Sequence, residues 1–105
     1  MGRIVIVAYK PKPGKESELE KLMEKHVEIL RQESLATDRA PIIMRSSSKT
    51  ILEVFEWKSK EAIAEAHANS AVKKLWIEFE EVCTYEQVSD LKEANDLFAE
   101  FEAIN

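Results

Sequence analysis

Two histidines, His26 and His67, are the side chains of this sequence best suited to moving protons near neutral pH. They lie 41 positions apart, and the chain has a single cysteine, Cys83. No H-E-x-x-H or C-x-x-C spacing is present, so no metal site is expected. The only glycines are Gly2 and Gly14, which leaves nothing from which to build a glycine-rich phosphate loop. No G-x-S-x-G elbow occurs either, so hydrolase, kinase and dinucleotide-oxidoreductase chemistries lack their parts. What remains is acid–base chemistry by an imidazole next to apolar and aromatic side chains.

The two histidines read differently. His26 falls in an apolar stripe with Leu19, Leu22, Met23, Val27 and Leu30. Packing alone accounts for a histidine there, its ring nitrogen satisfied locally; the other reading is a base between helix and sheet. His67 precedes Asn69-Ser70, where the helical pattern restarts. Either its ring caps free backbone groups at that break, or it is a base at a pocket mouth. The break opens space that a regular helix would fill, so His67 is the expected border of a functional pocket and His26 is not. The aromatic set Tyr9, Phe55, Trp57, Trp76 and Phe79, with Met44, is expected to be mostly core and interface, some of it lining a cavity for a flat organic ligand. Cys83 continues the Trp76–Phe79 stripe and reads as buried and inert. Arg45 faces solvent or a ligand carboxylate.

These residues are carried by elements legible from periodicity. Residues 3–10 form a strand whose core, Ile4 to Ala8, is continuously apolar, as in a strand covered on both faces. Pro11-Lys12-Pro13-Gly14 ends it. A helix is predicted over about 15–34, with Ser17 and Glu20 spaced as a capping box. Strands follow at 42–45 and 50–57, joined by a turn at Ser46-Ser47-Ser48-Lys49. Helix resumes after the cap residue Ser59, restarts at Asn69-Ser70, and gives way to a short strand at 84–89. Residues 90–105 form a C-terminal arm, with a helical turn at 91–96 and either helix or strand at 98–104. The order β-α-β-β-α-β is the ferredoxin-like α+β pattern, an antiparallel sheet with helices on one face. Residues 51–57, like 4–8, are apolar on both sides, so a second copy packing sheet to sheet is expected.

The 105 residues amount to one domain, 45% apolar, with 15 basic and 20 acidic side chains. The net charge of −5 is uneven, with one basic residue, Lys92, against nine acidic ones beyond residue 77. That balance argues against nucleic acid, and the acidic stretch reads as solvated surface. No apolar run approaches the ~18 residues of a membrane span, and the opening run is too short for a signal-peptide core. A lone cysteine forces no oxidising compartment, so the cytoplasm is expected.

The opening strand into Pro13-Gly14-Lys15, the segment Phe55-Glu56-Trp57-Lys58-Ser59-Lys60-Glu61-Ala62 and His67-Ala68-Asn69-Ser70 together resemble the antibiotic-biosynthesis-monooxygenase family of dimeric α+β barrels. Ser89-Asp90-Leu91-Lys92-Glu93-Ala94 and Phe98-Ala99-Glu100-Phe101-Glu102 look like the family's ending. The asparagine, tryptophan and histidine of its haem-degrading members are not kept: the first strand has Ala8-Tyr9, and the matching helical positions are Ala66 and Trp76. The resemblance instead implies a homodimer oxidising a small aromatic molecule, quinol- or anthrone-like, without a cofactor. His67, in a His-x-x-Ser context, would be the base, with Ser70 or Tyr9 as hydrogen-bonding partners and Trp57, Trp76 and Phe79 around the substrate. The competing expectation is a dimer of the same fold that binds a small molecule without turnover.

Overall fold

Arg3–Pro11 forms β1, and its alternation sends Val5, Val7 and Tyr9 to one side and Ile4, Ile6 and Ala8 to the other. The computed structural model describes all of residues 1–105. After the turn at Gly14, whose φ of +77° suits glycine, helix α1 runs from Glu16 to Gln32. Its N-cap is Lys15, with no side-chain cap, and Ser17 lies inside the helix; the Ser17–Glu20 capping box does not form. Strands β2 (Ile42–Arg45) and β3 (Ile51–Trp57) form a hairpin, then come α2 (Lys60–Ala66), α3 (Ser70–Val82) and β4 (Cys83–Glu86). β4 is shorter than expected because the chain turns into a 3₁₀ turn at Val88–Asp90.

The sheet is antiparallel throughout, in the order β4-β1-β3-β2-β5. The first four strands have the ferredoxin-like order, and the fold is α+β as expected. α1 and α3 lie side by side, linked across their exposed faces by Lys25 and Glu78 at 3.0 Å. Their apolar faces meet the sheet: Leu19, Leu22, Met23, Leu75 and Phe79 pack with Tyr9, Ile43 and Ile51, while Val27, Leu30 and Val72 pack with Phe55 and Trp57. No helix is long and apolar enough to cross a membrane.

The tail settles one open alternative. Glu102–Ala103 is a strand, β5, paired with β2 of the same chain, and Asn105 clamps it. The Asn105 side chain accepts from Ile43 N–H and donates to Pro41 C=O. Ahead of it, Leu91, with Val88, Ala94 and Phe101, covers Ala8 and Leu52 on the outer side of the sheet. Part of the second apolar face is therefore covered by the chain's own tail. The rest is open: Ile4, Ile6 and Ile42 are each more than half exposed.

Candidate functional site

A glutamate at the core phase of β3 organises the site. Glu53 lies between Ile51 and Phe55 on the helix-facing side and is fully buried. A buried carboxylate needs partners, and two reach it. His26, at the core phase of α1, brings Nδ1 to 2.8 Å from Oε1. Tyr9 of β1 donates its hydroxyl to the same oxygen at 3.0 Å. An ionised carboxylate only accepts, so Nδ1 carries the proton and a neutral ring keeps its lone pair on Nε2. Nε2 has no partner in the protein, and His26 lines a cavity. Glu53 Oε2 is buried and has no partner either.

That cavity, of about 250 Å³, lies between the sheet and α3. Val5, Val7 and Tyr9 of β1, Phe55 and Trp57 of β3, Trp76 and Phe79 of α3 and Tyr85 of β4 complete its wall. The rings brace one another. Phe55 and Phe79 meet the His26 ring edge-on at 5.3 and 5.1 Å, and Tyr9 stacks on Phe79 at 5.2 Å. Trp57 is held from behind, where the stretch after α1 bridges to it at Ala36 and Leu35 C=O accepts from Lys58 N–H. Burial, and then the negative charge of Glu53, hold the Tyr9 phenol well above its usual range, so it stays a neutral donor. At the rim Tyr85 is pushed up to about 12, chiefly by burial. Cys83 lies outside the cavity wall; it is buried, its thiol is pushed up to about 11 by burial, and Sγ points to Phe79 C=O at 3.1 Å. That is the inert cysteine expected.

Of the residues singled out in the sequence, the structure brings Tyr9, Trp57, Trp76 and Phe79 together around the cavity. It does not bring His67 or Ser70 there. His67 is the exposed C-cap of α2, its Nδ1 bonded to Ile63 C=O at 2.9 Å. Ser70 is exposed at the start of α3. The expected break between helices exists, but Asn69 fills it, accepting from Val72 N–H and donating to Glu33 at 2.9 Å. The imidazole on the cavity is that of His26, against expectation. Tyr9 is not a free donor, since Glu53 holds its hydroxyl. Arg45 lies outside this cavity and pairs with Glu20 and Glu102. Glu53 was missed, although its signal is in the sequence: one carboxylate at the apolar phase of a strand, opposite one histidine at the apolar phase of a helix.

The chain matches no model of a known protein family and no curated protein. It is similar in structure to Rv0793 from Mycobacterium tuberculosis, with a TM-score of 0.62 and 19% identity over 80% of this chain and 85% of that one. At that identity the likeness concerns the fold.

Proposed function

We propose that this protein is a cofactor-independent monooxygenase of the antibiotic-biosynthesis-monooxygenase type, acting on a small, flat, weakly acidic aromatic such as a quinol or anthrone. The observation that carries this reading is the buried Glu53–His26 pair, with Nε2 left for a cavity walled by aromatic rings. A carboxylate that holds Nδ1–H orients the ring and stabilises the imidazolium formed when Nε2 takes a proton. The apolar wall strips water from the resulting substrate anion, and the fixed charges of the pair replace it. The electron-rich anion passes one electron to O₂. Radical and superoxide then join in a carbon–oxygen bond. The peroxide takes back the proton from His26 and sheds water to leave a carbonyl. One oxygen atom stays in the product, the other leaves as water, and the substrate supplies every electron.

In this reading the base is His26, and Tyr9 serves it through Glu53 rather than touching the substrate's oxygen. The active form is a homodimer, with the open sheet face around Ile4, Ile6 and Ile42 as its interface. Oxygen uptake with a panel of quinols and anthrones tests the assignment. Turnover with at least one substrate is expected, and His26→Gln is expected to lower kcat/KM by about 10²–10⁴-fold. The alternative, a dimer that binds small molecules without turnover, is favoured by the shortage of polar groups in the cavity wall. Binding across the panel with no oxygen consumed would establish that alternative.

A further inference from the structure

His67 stands outside the cavity, yet it touches the wall from behind. Its ring meets the indole of Trp76 at a centroid distance of 5.1 Å and an angle of 66°, an edge-to-face contact. The other side of Trp76 is cavity wall, and the residue is half-buried there. His67 is itself fixed on the end of α2 by the bond from Nδ1 to Ile63 C=O. The backbone of α3 is anchored separately, through the Asn69 cap and its bond to Glu33. The helix therefore does not need His67 for its placement, and what the imidazole restrains is the side chain of Trp76.

We propose that His67 is a positioning residue that holds the Trp76 indole against the cavity and so limits the size of the ligand admitted. The proposal rests on the reading of this cavity as a ligand site. With the imidazole removed, the indole gains rotamers that swing away from Phe79 and widen the space at that wall. An aromatic ring without ring nitrogens would still supply the edge-to-face contact.

The test uses the full-length chain with Trp57→Phe, which leaves Trp76 as the sole tryptophan, and compares His67, His67→Ala and His67→Phe. Two quantities are read: acrylamide quenching of Trp76 fluorescence, and calorimetric binding of 2-naphthol and the wider 1-hydroxypyrene under nitrogen. In His67→Ala the quenching constant should rise about threefold and the preference for 2-naphthol should fall by a similar factor, the scale set by one lost aromatic pair. His67→Phe keeps the ring contact but not the bond to Ile63 C=O, so it should restore both in part. Unchanged quenching in His67→Ala would overturn the proposal, as would His67→Phe behaving like His67→Ala. If neither probe binds even with His67 in place, the ligand reading and the size limit fall together. The quenching comparison would still decide whether His67 holds the indole.

Discussion

His26 and Glu53 form a pair that is expensive to break. Removing one partner leaves the other buried without its counterpart, whereas replacing both with apolar groups of similar volume relieves the demand. His26→Leu should therefore cost about 3–5 kcal/mol of unfolding free energy in urea titration, and the double variant His26→Leu with Glu53→Met should recover part of it, the buried Tyr9 hydroxyl losing its acceptor. Additive losses would mean that the two side chains stabilise the fold independently. The same burial makes the protein sensitive to alkali. Cys83 and Tyr85 titrate in the folded state at about 11 and about 12, above their ordinary values of 9.0 and 10.0. The folded chain holds protons there that the unfolded chain has released, so stability is intact below about pH 9 and falls as pH rises through 12. Urea midpoints measured from pH 8 upward should stay level and then drop; a midpoint that does not move up to pH 11 would contradict the placement of Cys83.

At the scale of elements, the cavity depends on where α3 begins. Asn69 supplies the cap that Ser59 supplies for α2, accepting from the third residue on. Asn69→Ala should lower stability by about 1 kcal/mol in the same titration, with far-ultraviolet dichroism nearly unchanged. The C-terminal arm docks on its own chain: β5 and Asn105 hold to β2, and Phe101 helps cover Ala8 and Leu52. Truncation after Asp96 should thus lower the thermal midpoint by several degrees, by an amount independent of protein concentration. A loss that vanishes on raising the concentration would show that the arm acts between chains instead.

The whole molecule leaves part of its sheet uncovered. Ile6, Val54 and Ile42 stand side by side in register across β1, β3 and β2, with Ile4 beyond them, and the tail covers only the neighbouring rows at Ala8 and Leu52. Leu97 and Phe98 add two exposed apolar side chains in the tail itself. Water contact with such a surface is unfavourable, and a second copy would bury it. Light scattering is expected to give about twice the chain mass of 12.1 kDa. Ile6→Glu places a charge in the middle of the open rows and should yield the single-chain mass. A wild-type monomer at micromolar concentration would remove the dimer.

Periodicity decided which residues face inward. That is why the element order, the α+β class, the break at Asn69 and four of the aromatic wall residues could be read without coordinates: each follows from local spacing along one strand or helix. The phases of Glu53 and His26 were equally visible, since both polar residues interrupt an apolar face. Their partnership was not, because it joins positions 27 residues apart on different elements, and only the packing of α1 on the sheet sets 2.8 Å between them. The placement of His67 went the other way. A helix break opens space in general, but here a side-chain cap closes it, and the ring turns to its own helix end and to Trp76. Whether a histidine meets a cavity depends on what fills the volume around it, and that volume is enclosed by residues from three strands and two helices at once.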